Sequence, residues 1–389
     1  MMKKHPGSKG ILTVISSFLF FSVIIPFLFG YALWRPVVLV HTFSVATSRM
    51  IFYVMTAICW VLFNVKVFEE LIYSRTMLVL SAYMLDLCMI PTCMLPFALF
   101  FDASNVVYKF FVGVPILAAT RRVYGYAAFT FAIVLNIVGF YRGTHINTKR
   151  YTIRTHKIKD NRVRFAHVSD IHIGSRLDKL PEVMVKRILE EKPDFVVITG
   201  DLIDSHNVVP SDLAPFIAFK ERNIPVYYTI GNHDIMAGEA YVSKILEYYG
   251  ITFIKNDVVH TKVGNAMVQL VGIDDMQTVY DYNKVFNELE TQIDPSEYTI
   301  LLHHRPQGYK SSVKSGRVDL QLAGHTHNGQ IFPYSYIVSL FHSKACGMYT
   351  IKDGNNDMLL YTHPGSCAWG PHFRTSSKNL VTMFTVEPY

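Results

Sequence analysis

The first 150 residues are short of acid: they hold Glu69, Glu70, Asp86 and Asp102, against 30 acids in the whole chain. A segment so poor in carboxylates and dominated by apolar runs does not read as a solvated globular domain. Cysteine is also scarce, with Cys59, Cys88, Cys93, Cys346 and Cys367 as the full set. No two have the spacing of a zinc-ligand pair, and three fall in apolar runs, so reduced and mainly buried thiols are expected. There is no internal repeat and no low-complexity tract.

What the N-terminal part does contain is span-length hydrophobic sequence. Ile11 to Trp34 and Thr76 to Phe101 are each long enough to cross a bilayer core, which needs about 20 residues. Met50 to Val65 is slightly short but almost unbroken, and Val123 to Tyr141 is a fourth candidate. No small-residue cleavage site follows the first run and further spans come after it, so a cleaved signal peptide is not expected. Residues 1–145 are therefore expected to form a multi-span, integral membrane domain. Lys3, Lys4 and Lys9 precede the first span, and Arg142, Lys149, Arg150, Arg154 and Lys157 follow the fourth. By the positive-inside rule, four spans with both ends inside place the C-terminal half in the cytoplasm. Arg121 and Arg122 fall on the outer side of that scheme, and Val106 to Thr120, if a half-span, would change the count. Asp86 lies inside the third span, where a packing role near a helix end is favoured over sensing or transport.

From Arg142 to Arg164 there are eight Lys or Arg and one acid, Asp160. Residues 146–162 read as a basic juxtamembrane linker. Such a cluster attracts anionic lipid, or serves only to set orientation. Nucleic acid is the rival partner and is not expected beside a membrane span. The net charge of +7 is concentrated in this linker and the membrane half, so it says little about a catalytic site.

The second half carries five polar blocks: Asp170-Ile171-His172, Gly200-Asp201, Gly231-Asn232-His233-Asp234, His303-His304 and Gly324-His325-Thr326-His327. Apolar runs lead into them: Val163 to Val168, Asp194 to Thr199, Pro225 to Ile230, Tyr298 to Leu302 and Val318 to Ala323. Near-continuous runs of this kind predict strands buried on both faces. Helical patterns at Pro181 to Glu191, Asp212 to Arg222 and Glu239 to Tyr249 alternate with them, which implies an α/β layered domain over residues 163–389. In such sheets ligands gather beyond the carboxyl ends of the strands, so the blocks should converge. Carboxylate, imidazole and amide oxygen suit divalent Mn, Fe or Zn. Gly200, Gly231 and Gly324 each precede a candidate ligand, where a sharp turn favours glycine.

In this order and with these neighbours, the blocks resemble the signature of the calcineurin-like metallophosphoesterases. Within that superfamily they look most similar to a membrane-linked branch related to bacterial phosphodiesterases and UDP-2,3-diacylglucosamine pyrophosphatases. The resemblance implies a four-layer β-sandwich flanked by helices, here preceded by a helical transmembrane bundle. It implies two divalent metal ions, with Mn favoured. Asp170, His172 and His327 would bind the first metal; Asp201 would bridge; Asn232, His304 and His325 would bind the second. His304-Arg305-Pro306 fits the family pattern, and His303 should face the other way because successive strand residues alternate. His233 would contact the phosphate and protonate the leaving oxygen, with Asp234 holding its imidazole. The tail departs from the family: Cys367 stands where glycine is common, and Trp369 to Arg374 keeps a Gly-Pro-x-x-Arg core. Arg374 would bind a substrate phosphate or close a salt bridge.

The expected activity is hydrolysis of a phosphodiester or diphosphate, of a lipid-linked substrate above others. The alternatives are a phosphodiesterase or phosphatase for soluble nucleotides or proteins, and a non-catalytic sensor with a vestigial domain. Gln307 to Arg317 and Tyr334 to Lys344 read as loops or short helices near the site. The aromatics around Phe332 to Phe341 are a candidate contact for an acyl chain or the membrane.

Overall fold

The computed structural model describes residues 20–72, 74–159, 162–205 and 207–389. It divides into two compact units, Met1–Gly139 and Phe140–Tyr389. The first unit is helical: α1 (Ile25–Val40), α2 (Val45–Ile72), α3 (Arg75–Leu87), α4 (Met89–Val112) and α5 (Ala118–Thr144), the last running on into the second unit. Among the described residues, four stretches are long and apolar enough to cross a membrane: Ser22–Val40, Val45–Val65, Arg75–Val112 and Ala118–Thr144. Residues 11–19 of the expected first span, together with Lys3, Lys4 and Lys9, lie outside the described residues. The half-span considered at Val106 to Thr120 is not an element of its own. Its first part completes α4, Gly113 ends that helix in the left-handed region at φ 80°, and Pro115 lies in the turn before α5. Asp86 sits one residue from the end of α3. Asp102 of α4 accepts from Nε of Arg35 on α1 at 2.8 Å, the pairing that a charge among apolar helices requires.

Among its described residues the second unit holds twelve strands: β1 (Ile146–Thr155), β2 (Val163–Val168), β3 (Phe195–Thr199), β4 (Val226–Thr229), β5 (Ile251–Phe253), β6 (Asp257–Val263), β7 (Ala266–Ile273), β8 (Tyr298–His303), β9 (Leu320–Ala323), β10 (Gly347–Asp353), β11 (Asn356–Thr362) and β12 (Asn379–Pro388). They form two six-stranded sheets, β1-β12-β2-β3-β4-β5 and β10-β11-β9-β8-β7-β6. The helices are α6 (Leu180–Glu190), α7 (Ile217–Glu221), α8 (Asn232–Ala237), α9 (Glu239–Tyr249), α10 (Val279–Glu290), α11 (Tyr309–Ser315) and α12 (Tyr334–Phe341).

Alternation along the strands builds the layers. On β3, Phe195 and Val197 point between the sheets, while Val196 and Ile198 point to the outer core with Met184 of α6 and Leu246 of α9. On β8, Ile300 and Leu302 face the inter-sheet core, whereas Leu301 faces Tyr282 and Phe286 of α10. Strands buried on both faces need apolar residues at every position, which is why the central runs read as unbroken. The order is helix, sheet, sheet, helix.

The expected linker at 146–162 is largely a strand. β1 pairs in parallel with β12 over its full length, and Tyr151 stacks on Phe384 of that strand at 5.6 Å. Three of the linker's six basic residues pair with acids within the unit. Arg150 pairs with Glu191, Arg154 with Glu387 at 3.3 Å, and Lys157 with Asp319 at 2.8 Å. The alternation of Tyr151 and Ile153 with charged neighbours outweighs the charge count that suggested a solvated tether.

Candidate metal centre and its surroundings

The loops that leave β2, β3, β8 and β9 meet at one end of the two sheets. Backbone bonds tie them: Asp170 N donates to Gly200 O at 3.1 Å, His172 N to Asp201 O at 3.0 Å, and Gly324 N to His304 O at 2.8 Å. Five residues here hold left-handed backbone that non-glycine residues rarely adopt: Asp170 (φ 54°), His172 (54°), Asp201 (51°), His325 (71°) and His327 (49°). Each such residue costs on the order of 1 kcal/mol or more and persists only where the surrounding structure enforces it, as functional sites do.

Among the described residues three groups of ligating atoms result, one of them His172 with Asp204 and His233; the other two hold the expected metal ligands. In the first of these two, Asp170, His172 and His327 bring their donor atoms within 4.8 Å of one another; in the second, Asp201, His304 and His325 do the same. His172 Nε2 lies 2.9 Å from His327 Nε2, and His304 Nε2 lies 3.1 Å from Asp201 Oδ2. Asn232, at the start of α8, has a buried side-chain oxygen with no protein partner. Asp170, His172, Asp201 and His304 are buried.

Of the three glycines, only Gly200 needs a left-handed conformation, at φ 79°. Gly231 has φ −110°, and what it lacks is room: a Cβ there would come 2.2 Å from Asp201 Oδ1. A Cβ on Gly324 would come 1.9 Å from Ser169 Oγ and 2.3 Å from Asp170 Oδ2. Close approach of chain segments around the carboxylates explains these two.

His303 and His304 take opposite sides. His303 ends β8 on the α10 side, with its ring 5.0 Å from that of Tyr282. His304 turns inward, with Nδ1 2.7 Å from Thr199 O.

The electrostatics are dominated by carboxylate–imidazole pairs. Burial opposes ionisation of Asp201, yet His304, His172 and His233 hold its carboxyl well below the usual range. Burial likewise opposes a charge on His304, but Asp201 pushes it up to about 10. His172, also resisted by burial, is pushed up to about 9 by Asp204, then Asp201 and Asp170. Asp170 itself is raised, by burial first.

Residues 163–329 match the family model of the calcineurin-like phosphoesterases. The C-terminal unit contains a calcineurin-like metallophosphoesterase domain. An uncharacterized metallophosphoesterase of Helicobacter pylori J99 is 31% identical over 255 residues, 64% of this chain and 66% of its own length. One from Aquifex aeolicus is 29% identical over 262 residues, 66% of this chain and 97% of its own. A transmembrane protein with metallophosphoesterase domain from Bos taurus is 26% identical over 276 residues, 65% of this chain and 60% of its own. The chain thus spans just under two thirds of the Helicobacter and bovine relatives.

Members of this family bind a dinuclear centre of divalent metals. The residues of the phosphoesterase domain fit such a centre. Two imidazole nitrogens 2.9 Å apart, a buried amide oxygen without a partner and two buried carboxylates form a donor set in which metal ions can replace protons.

Two expected roles change, those of Asp234 and Arg374. Asp234 does not hold His233. Its Oδ1 accepts from the amides of Leu202 (3.0 Å) and Ile203 (2.8 Å), and its Oδ2 from Gly231 (3.0 Å), so it ties two loops together. Burial, followed by Asp201, raises it to about 6. The partner of His233 is Asp204, whose Oδ1 lies 2.6 Å from His233 Nδ1 and 2.8 Å from His172 Nδ1. Asp204 lies three residues beyond Asp201, a spacing the sequence shows without marking it as functional.

Arg374 is fully buried and donates to Pro364 O, Ser377 Oγ and Cys367 O, with Nη2 3.1 Å from His327 Nδ1. It braces His327 and is closed to substrate. Arg305 is the open one. Asp275 grips its Nε at 2.7 Å and Nη2 at 3.0 Å, and its Nη1 lies 3.2 Å from His325 Nε2. Trp369, 51% exposed, places its ring 5.7 Å from that of His233.

Proposed function

We propose that this chain is a membrane-anchored, dinuclear-metal phosphohydrolase that cleaves a phosphodiester or diphosphate in a lipid-linked substrate. The observation that carries the hydrolase reading is the convergence of the two ligand groups, set on strained backbone, within a matched phosphoesterase domain. The anchor rests on four span-length apolar helices. Two divalent ions supply a water of lowered pKa and a clamp on the phosphoryl oxygens.

The side chains divide the remaining work. Asp170, His172 and His327 would hold one ion; Asn232, His304 and His325 would hold the other; Asp201 would serve both. Asp204 fixes Nδ1 of His233, which leaves its Nε2 to carry a proton to the leaving oxygen. Arg305, aimed by Asp275, meets a non-bridging phosphate oxygen through Nη1. Mn is the favoured metal. The cytoplasmic side is favoured for the domain, because Arg142, Lys149 and Arg150 follow the last apolar stretch.

The lipid reading is supported by α12. None of its residues is buried, and Leu340 and Phe341 are 82% and 79% exposed. It follows the loop that carries His327 by a few residues. An apolar face of this kind suits acyl chains or a bilayer surface.

The test is metal analysis and turnover of the full chain purified in detergent. About two metal ions per chain are expected, with hydrolysis of bis-p-nitrophenyl phosphate lost on chelation and restored by Mn. Binding of only one ion with full activity would remove the shared role of Asp201. Metal-loaded protein inactive on both this diester and lipid diphosphates would leave the sensor reading in its place.

A further inference from the structure

The membrane unit carries a cavity of about 510 Å³ at the N-terminal end of α5, in the range that holds small ligands. Trp34, Arg35, His41, Arg49, Arg121 and Arg122 line it, and among the described residues no acidic one does. α1 ends there, α2 and α5 begin there, and α4 stops just before. So the turns that join the helices bring four guanidiniums to one opening.

One of the four is accounted for within the fold. Arg35 is neutralised by Asp102, and its guanidinium lies 5.7 Å from the ring of Trp34 and 5.2 Å from that of Phe101. Trp34 is fixed in turn, donating Nε1–H to Ser48 O at 3.0 Å. Among the described residues, no carboxylate pairs with Arg49, Arg121 or Arg122. The unit has few acids to offer them, since the first 150 residues hold four.

Orientation does not explain the cluster either. The positive-inside rule can account for basic residues at one end of a bundle. Here the C-terminal end of α5 already has Arg142, and Lys149 and Arg150 follow it. Arg121 and Arg122 sit at the opposite end of the same helix. Like charges gathered at the mouth of an apolar bundle repel one another unless an anion joins them. Guanidiniums are the side chains best shaped to take phosphate oxygens in pairs, and tryptophan beside them is the usual side chain of a membrane–water boundary.

We propose that this cavity binds the phosphate of a membrane lipid headgroup, with Arg49, Arg121 and Arg122 as its donors and Trp34 packed beside the glycerol and upper acyl carbons. The site is separate from the metal centre and built wholly from the membrane unit. Free phosphate offers the same oxygens, but it has no apolar portion to use the rim of Trp34 and Phe43.

The experiment uses full-length protein delipidated in a neutral detergent, with lipids retained by the chain counted by native mass spectrometry. Phosphatidic acid should bind in preference to phosphatidylcholine. The double substitution Arg121→Gln with Arg122→Gln should weaken phosphatidic acid at least about tenfold, at roughly 1 kcal/mol per charge near a membrane surface. Arg49→Gln should weaken it less. Arg121→Lys with Arg122→Lys keeps the charges but not the paired donors and guards against a folding artefact; it should bind between the wild type and the Gln pair, with the wild-type melting temperature. Phosphatidic acid and phosphatidylcholine bound alike would overturn the proposal. So would binding unchanged in the Gln variants, or inorganic phosphate competing at concentrations equal to those of the lipid.

Discussion

One carboxylate oxygen, Oδ1 of Asp204, faces Nδ1 of both His172 and His233, at 2.8 and 2.6 Å. The first contact fixes the ring that would hold a metal; the second fixes the ring that would deliver a proton. Burial opposes ionisation of Asp204, but His172 and His233 keep its carboxyl well below the usual range, so it stays an anion at working pH. Asp204→Asn keeps the shape and removes the charge. Metal affinity should fall about 10- to 100-fold, as loss of a ligand's outer partner does, and turnover should fall with it. Competition against a chelator of known affinity measures the first; an unchanged affinity would deny Asp204 its part in orienting His172. Asp274 gives a separate test, of stability. Burial, only partly offset by Lys255, raises it to about 6, and its Oδ1 has no protein partner. An acid raised in the folded state binds protons there that the unfolded chain releases, so stability falls as pH rises towards 6 and stays lower above it. Asp274→Asn should therefore raise the melting temperature at pH 7.5. The carboxyl is partly exposed and screened, so the gain is on the order of 1 kcal/mol or less. No difference should remain below about pH 3, where the carboxyl is protonated in both states.

The elements that lead into the site were the legible part of the sequence. β2 runs over Val163–Val168 as expected, and β3, β4, β8 and β9 lie within a few residues of their apolar runs. These strands are covered on both faces, so hydrophobicity alone reveals them. β6, β10 and much of β1 are half-exposed strands in which Lys, His and Asp alternate with apolar residues. Their signal is weaker, and in β1 it was hidden by basic charge. α10 went unassigned because Asn283, Lys284, Asn287 and the acids around them outnumber its apolar face of Tyr282, Phe286 and Leu289. In the site, ligand types in short blocks were legible because they are local in sequence. Asp204 and Arg305 were not, because their meaning depends on which loop they meet. The loops also make a prediction at this scale. Gly324→Ala would push a methyl group to within 1.9 Å of Ser169 Oγ and 2.3 Å of Asp170 Oδ2. Ser169 is buried and its Oγ donates to Thr199 O at 2.9 Å, so it cannot yield without breaking that bond. The variant should fold, with a melting temperature lowered by several degrees, and retain less than about one metal ion per chain. Full metal content would show that the loop has more slack than these distances imply.

For the molecule as a whole, the question is why a phosphoesterase domain should carry four span-length helices. A basic linker lying on anionic headgroups would have been one answer, but Arg150, Arg154 and Lys157 are engaged in ion pairs inside the domain. What remains is apolar. α12 exposes Tyr334, Tyr336, Ile337, Leu340 and Phe341 in sequence close to His327, and Phe332 and Trp369 are exposed as well. An enzyme for soluble nucleotides gains nothing from that surface, and it would be a liability in water. An enzyme for a lipid-linked phosphate can use it twice, to sit on the bilayer and to hold the upper part of an acyl chain as the phosphate reaches the metals. Each buried methylene contributes about 0.8 kcal/mol, so contact with three or four should raise kcat/KM by about 60- to 200-fold. The comparison is between a diacylated substrate and its deacylated head group, in matched micelles. Leu340→Ser with Phe341→Ser should erase most of the difference while leaving turnover of the deacylated head group near the wild-type value. Equal kcat/KM for the two substrates in the wild-type chain would show that the phosphate alone is recognised and that the helices serve only to anchor the domain.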